Sequence, residues 1–342
     1  MNILLTGGAG YIGSHTAIAL VNAGHQIAIY DNFCNSPKSV IDYLAKVLKR
    51  EISFIEGDIR DTELLASSMK QFSTDAVIHL AGLKAVGESV AMPLDYYENN
   101  VQGTLSLLRA MNEQGVKNIV FSSSATVYGD PQYLPIDELH PLAPTNPYGR
   151  TKLQIEQILE DQARADNRFK AVNLRYFNPV GAHASGLLGE NPKGIPNNLT
   201  PYIARVASGD LKELNIFGND YPTEDGTGVR DYIHVEDLAD GHVAALNFLP
   251  QVAGFETFNL GTGIGYSVLQ MIAAYEKASG KKIPCRIVGK RPGDIASCYA
   301  APAKANQILK WKAEHTLQEM CESSWAFQQQ LKNSHPVSTN TQ

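Results

Sequence analysis

Six short apolar runs, NILLT (2–6), QIAIY (26–30), ISFI (52–55), AVIHL (76–80), NIVFS (118–122) and KAVNL (170–174), recur through the first half of the chain with helix-length segments between them. The runs are largely continuous rather than alternating, as strands covered on both faces require, and each interval is long enough for a crossover helix. Repeated βαβ units predict a doubly wound, parallel α/β domain over residues 1–180. Beyond it the pattern loosens into a Gly-, Pro- and Asn-rich stretch, NPVGAHASGLLGENPKGIPNNLTP. That change predicts a smaller, irregular α/β lobe over 181–330, with a return of the chain to the first domain near 232–262. Residues 331–342 are polar and read as a disordered tail.

A length of 342 residues suits two such units. With a formal net charge of -6 and no basic block, the chain is not expected to bind nucleic acid or an anionic membrane, so any phosphate must be held by local features. The first residues, MNILLTGGAG, show no basic leader and no cleavage site, and no apolar run reaches the ~18 residues of a membrane span. Cys34, Cys285, Cys298 and Cys321 are scattered, without a CxxC pair. This fits a reduced, cytoplasmic protein better than a disulfide or zinc scaffold, and no metal site is expected.

The first chemical signal is TGGAGYIGSH, which sets Gly7, Gly10 and Gly13 between the first strand and an amphipathic helix. Glycines at this turn let backbone N–H groups approach a pyrophosphate at the positive end of the helix. Asp31 ends the second strand, where an acid receives ribose hydroxyls and repels a 2′-phosphate, so NAD is favoured over NADP. Lys38 is the one nearby cation that would soften that preference. Asp58, after the third strand, and LAGLK (80–84), after the fourth, lie at carboxyl strand ends, where open parallel sheets bind ligands. The alternative for Asp58 is a helix cap.

The second signal follows the fifth strand. SSSATVYG (122–129) is followed by NPYGRTK (146–152), in which Asn146 and Pro147 open a helix that carries Tyr148 and Lys152 on one face. The Tyr-x-x-x-Lys spacing alone arises by chance ~0.8 times in a chain of this composition; its order after a nucleotide turn and a serine-rich strand end gives it weight.

Together with EGDIRD, HLAGLKAVGESV, NNVQGTL, LRYFNPVGAH, NLTPYI, DGTGVRDYIHVEDLADGH, NLGTG and RPGD, these motifs cover nearly the whole chain. The chain resembles the extended short-chain dehydrogenase/reductases of Rossmann type, and among them the 4-epimerases of UDP-hexoses. The resemblance implies Ser124, Tyr148 and Lys152 as catalytic residues. It implies a bound NAD held by Gly7, Gly10, Tyr11, Ile12, Gly13, Asp31, Asn32, Asp58 and Ile59, by Leu80, Ala81, Gly82, Lys84 and Asn99, and by Tyr148, Lys152 and Phe177. For the UDP-hexose it implies Ser124, Tyr148, Asn178, Asn198, Leu199, Asn215, Phe217, Arg230, Arg291, Asp294 and Cys298. The planar donor forks of Arg230 and Arg291 suit a diphosphate, although either arginine could instead form a surface ion pair.

The implied reaction interconverts UDP-glucose and UDP-galactose. Hydride leaves C4 for NAD while Tyr148 takes the O4 proton, and the resulting 4-keto sugar turns about its diphosphate and accepts the hydride on its other face. To serve as base near neutrality, Tyr148 has to drop roughly 3 pKa units, with Lys152 and the nicotinamide ring as the expected source of the field. A 4,6-dehydratase is the rival within the fold, but its Asp-Glu pair is replaced here by Ala125 and Thr126. A non-catalytic NAD sensor is the rival from another class, and it would have no need of the three catalytic residues. Four residues past Asp294, where glucose-restricted relatives carry a tyrosine, this chain has Cys298. The smaller side chain implies that N-acetylated UDP-hexoses are accepted too. The resemblance also implies a homodimer built from helices near 92–115 and 148–165.

Overall fold

The structure, a computed structural model, describes residues 1–291 and 293–334. Strand and helix alternate from the start: β1 (Asn2–Thr6), α1 (Tyr11–Asn22), β2 (Gln26–Asp31), α2 (Ser39–Leu48), β3 (Ser53–Glu56), α3 (Thr62–Phe72) and β4 (Ala76–His79). Two short helices, α4 (Val86–Ala91) and α5 (Pro93–Tyr96), lead through a π-helical stretch, Tyr97–Gln102, into α6 (Gly103–Gln114). Then come β5 (Asn118–Ser124), α7 (Pro147–Ala165) and β6 (Lys170–Tyr176). All six expected strands are present, each with bounds within two residues of its apolar run.

The second half supplies β7 (Asn178–Val180), α8 (Leu199–Ala207), β8 (Leu214–Phe217), β9 (Val229–His234), α9 (Val235–Phe248) and β10 (Phe255–Leu260). It ends with β11 (Gly265–Ser267), α10 (Val268–Ser279), β12 (Cys285–Val288), β13 (Ser297–Cys298) and α11 (Leu317–Ser334).

A seven-stranded sheet runs β10-β6-β5-β4-β1-β2-β3, and every pairing in it is parallel. Its inner strands are buried on both faces because alternate side chains feed two cores, whereas the edge strand β3 is largely exposed. Ile3, Leu5, Ile29 and Ile78 join Ala17 of α1 and Leu238 of α9 on one side. Leu4, Ala28 and Val77 meet Leu65 of α3, Leu107 of α6 and Leu159 of α7 on the other. The chain returns to this domain through α9 and β10. A second sheet, β11-β9-β13 with β7 also on β9, and the pair β8–β12 form the smaller lobe under α8, α10 and α11. Because Asn178–Val180 pairs with β9, the crossing into this lobe falls at about residue 177 rather than 180. Helix α11 continues to Ser334, so the tail reading is corrected for 331–334, and residues 335–342 lie outside the described residues.

Helix ends follow local chemistry. The Asn146 side chain accepts the Gly149 N–H at 2.9 Å with Pro147 in the first turn, and α3 is capped by Asp61, not by Asp58. The strongest tie between layers lies under α7. The Arg175 guanidinium (β6) grips the Glu156 carboxylate (α7) through Nε–Oε1 at 3.0 Å and Nη2–Oε2 at 2.6 Å. Ser123 of β5 also donates to Glu156, and Arg175 reaches the Tyr128 hydroxyl at 3.0 Å. Tyr128 donates in turn to Asn259 of β10. Both charged residues are buried, so each depends on the other for compensation.

Removing one charge therefore strands its partner. Arg175→Met is expected to cost ~3–5 kcal/mol of stability, while Glu156→Gln combined with Arg175→Met recovers much of it. Urea unfolding midpoints of both variants check this, and equal loss in the single and double variants would refute it.

Candidate active site

The carboxyl ends of the central strands converge on one edge of the sheet, where most of the sequence-predicted cofactor residues lie. Gly7 adopts φ +71, and a Cβ there would sit 2.6 Å from the Ala81 backbone N, so the turn after β1 lies directly on Leu80 and Ala81. A Cβ at Gly13 would meet the Gly7 carbonyl at 2.3 Å, which sets how closely α1 approaches β1. Gly10 caps α1 without a side chain, and no acid stands in the first turn. The leading N–H groups of that helix are thus left for an anion. These features fit a pyrophosphate. Tyr11 donates its hydroxyl to the Gly181 carbonyl at 2.7 Å, while Ile12 packs against the core beneath.

Asp31 accepts from Ala9 N at 3.0 Å and Phe33 N at 2.8 Å, and burial raises its pKa. These bonds fix its carboxylate beside the glycine turn while leaving lone pairs for ribose hydroxyls. Lys38 is taken up by Glu56 at 2.5 Å, which removes it as a ready partner for a 2′-phosphate. Asp58 is gripped by Arg60 through Nε at 2.8 Å and Nη2 at 3.0 Å, and this bonding lowers its pKa to about 2. Asn32 also donates to Asp58, at 3.3 Å. The side chain of Ile59 turns inward against Gly103. Asn99 lies on the π-helical stretch, but its neighbour Asn100, which sequence reasoning missed, does the anchoring. Asn100 is buried, accepts from Leu83 N at 2.8 Å and donates to Leu83 O and to the Thr151 hydroxyl, tying the Gly82–Lys84 turn to α7.

The three catalytic candidates meet at the end of β5 and the start of α7. Ser124 Oγ accepts from the Thr126 hydroxyl at 3.0 Å and from Thr126 N at 3.3 Å, so its own proton is free to be donated. A hydrogen bond from Ser124 favours the ionised form of the Tyr148 phenol. Lys152 is buried, donates to the Ser122 carbonyl at 2.6 Å and lies 5.9 Å from the Tyr148 ring centroid. Burial lowers the Lys152 pKa to about 7, opposed by the charge of Glu156, one helical turn further on. In the protein alone burial raises the Tyr148 pKa to about 12, against the Ser124 hydrogen bond. The expected drop is that of the site with the charged nicotinamide ring beside the phenol, whose field is not part of this value.

The nucleotide-sugar candidates come from separate segments of the lobe. Phe177 and Cys298 pack in one apolar cluster with Val127, Tyr128, Ile136 and Ala300, directly behind the Ser124 loop. Cys298 pairs with Arg230 between β13 and β9, and its thiol is buried. Tyr299 turns to the other face and lies against Gly265, as an extended stretch requires. Arg230 donates to Val229 O at 2.8 Å. Arg291 pairs with Asp294 at 2.8 Å and stacks 4.6 Å over the Phe217 ring, so these three residues form one cluster. Asn215 accepts from Arg286, and Asn178 stands exposed at the head of β7. Asn198 precedes Leu199 at the head of α8 without capping it, because its side chain donates to Glu190 at 2.7 Å. Lys84 donates to the same Glu190 oxygen at 3.2 Å. Glu190, Glu156 and Arg175 are further residues that the sequence reading missed. Of these, only Glu156 left a visible signal, as the next i+4 position after Tyr148 and Lys152.

Comparison with known proteins agrees with this geometry. Residues 3–261 match the model of the NAD dependent epimerase/dehydratase family. The UDP-glucose 4-epimerase of Bacillus subtilis is 56% identical over 98% of this chain and 99% of its own. Among solved structures, UDP-glucose 4-epimerase from Bifidobacterium longum in complex with NAD+ and UDP superposes with a TM-score of 0.94 at 53% identity, covering 98% of this chain and 100% of that one. The UDP-Glc/GlcNAc 4-epimerase of Campylobacter jejuni gives a TM-score of 0.84 at 37% identity over 96% of this chain and 99% of its own. With its parallel sheet, its open glycine turn and Ser124, Tyr148 and Lys152 gathered at one sheet edge, the chain belongs to the NAD dependent epimerase/dehydratase family.

Proposed function

We propose that this protein is an NAD-dependent epimerase that inverts C4 of UDP-hexoses, interconverting UDP-glucose and UDP-galactose through a 4-keto sugar. The observation that carries this reading is the placement of Ser124, Tyr148 and Lys152 around one point at the sheet edge, beside a glycine turn open to a pyrophosphate. NAD supplies the acceptor for the C4 hydride and, with its oxidised ring, the positive charge that draws Tyr148 toward its ionised form. Gly7, Gly10, Gly13, Asp31 and Asp58 are its proposed holders on the sheet side, and Lys84, Asn99 and Phe177 on the side that faces the sugar.

Tyr148 takes the O4 proton and returns it after the sugar has turned. Ser124, whose oxygen is oriented by Thr126, donates to whichever oxygen carries the developing charge. Lys152 sits near its own titration point at neutral pH, so small changes in local charge switch it between forms. Arg230, Arg291, Asn178 and the head of α8 at Asn198–Leu199 hold the uridine diphosphate, which leaves the hexose free to rotate. A dehydratase would need acids at the Ser124 loop, where Ala125 and Thr126 stand.

Four free thiols suit a reducing, cytoplasmic setting, and among the described residues no helix is long and apolar enough to cross a membrane. A homodimer through α5, α6 and α7 is proposed on the apolar surface next to them, where Val90, Met92 and Leu94 are exposed.

Tyr148→Phe is expected to lower kcat at least ~100-fold while UDP binding changes little. In the wild type, absorbance at 340 nm should show no NADH accumulating as UDP-galactose is consumed. A near-normal kcat in the variant removes the assigned base, and stoichiometric NADH would indicate a net dehydrogenase instead.

Cys298 packs in the apolar cluster that holds Phe177, and we propose that its small side chain leaves room beside the hexose for an N-acetyl group. Epimerisation of UDP-N-acetylglucosamine and UDP-N-acetylgalactosamine is therefore expected, and Cys298→Tyr should abolish it while sparing the plain hexoses. The kcat/KM values for both substrate pairs in both proteins decide the matter; N-acetyl activity unchanged by the tyrosine rejects this role for Cys298.

A further inference from the structure

Glu190 lies in the irregular stretch between β7 and α8, outside every recognised motif, yet it joins the two halves of the site. One of its oxygens, Oε1, accepts from Lys84 Nζ at 3.2 Å and from Asn198 Nδ2 at 2.7 Å. Lys84 follows β4 in the first domain, and Asn198 heads α8 in the second. The Glu190 side chain is only 10% exposed, whereas that of Lys84 is 57% exposed. The acid is thus the buried anchor and the lysine the member that reaches outward. Glu190 also lines the cleft between Tyr11, in the first turn of α1, and Thr200, in the first turn of α8.

Donor counting shows what this arrangement leaves over. An ammonium has three N–H donors and a carboxamide two, and Glu190 uses one from each. Among the described residues neither nitrogen has another protein acceptor. Both groups therefore keep donors to spare, and the shared carboxylate oxygen limits where those donors point.

We propose that Glu190 is a positioning residue that orients Lys84 toward the cofactor and Asn198 toward the nucleotide sugar, so that the two sites tighten or loosen together. This rests on the proposed roles of Lys84 and Asn198. A residue needed only for local folding would not affect both ligands while leaving the fold intact. The conservative amide separates the two arms: Glu190→Gln keeps an acceptor for Asn198 but loses the charge that attracts Lys84.

The test uses the purified holoenzyme, with UDP affinity read by calorimetry and NAD release by exchange with labelled NAD+. Glu190→Ala is expected to weaken UDP binding about tenfold and to speed NAD release about tenfold, with the melting temperature little changed. Glu190→Gln should speed NAD release several-fold while holding UDP affinity within about twofold. Alanine effects on only one ligand, or on neither, overturn the proposal, as does a glutamine variant that weakens UDP as much as alanine. Should the alanine variant not fold, an unchanged NAD release in the glutamine variant is sufficient to overturn it. A wild type that binds no UDP overturns the substrate reading and this proposal together, whereas a wild type that binds UDP beside an unaffected alanine variant overturns this proposal alone.

Discussion

The arrangement of the active site depends on the buried ion pair between Glu156 and Arg175. Helix α7 carries Tyr148 and Lys152 at its start and Glu156 one turn later, and Arg175 holds that turn onto β6 with two parallel hydrogen bonds. Ser123 binds the same carboxylate, and the next residue along β5 is Ser124. One network therefore sets the distance between the strand that carries Ser124 and the helix that carries Tyr148. A buried pair of this kind is weak evidence for net stability, because desolvation offsets much of the attraction. Its value lies in geometry, since a displaced partner would leave a charge uncompensated.

The same low-polarity surroundings control the chemistry. Burial pushes Tyr148 up to about 12 and Lys152 down to about 7, so near neutrality the phenol keeps its proton while the lysine is poised between its two forms. The charge of Glu156 works against the shift at Lys152, and the Ser124 hydrogen bond works against it at Tyr148. A positive charge brought beside the phenol would oppose this desolvation and favour its ionised form, the form the proposed mechanism requires of Tyr148.

A related pattern governs two cations proposed to meet the ligands of this acidic chain. Lys84 is bonded to Glu190 and Arg291 to Asp294. Each pairing restrains a long, flexible cation, which lowers the entropy it would lose on ligand capture. Arg230 is held differently, by a backbone carbonyl on its own strand.

The sequence by itself determined the parallel sheet, the glycine turn, and the sharing of one helix face by Tyr148 and Lys152. Each of these is written in local terms: continuous apolar runs, φ-permissive residues at a strand end, and an i+4 spacing behind an Asn-Pro cap. It also pointed to Cys298 rather than Tyr299 as the inward residue, because alternation along an extended stretch is a local rule. Only the tertiary structure decided the rest. Arg175 and Glu156 are 19 positions apart and Glu190 lies 106 positions from Lys84, so no periodicity links either pair. The anchoring of Leu83 by Asn100 likewise depends on which way a π-helical turn aims its side chains. The upward pull on the Tyr148 pKa was not legible for the same reason: a neighbouring lysine can be read in the chain, but the burial that opposes ionisation of the phenol exists only in the folded protein.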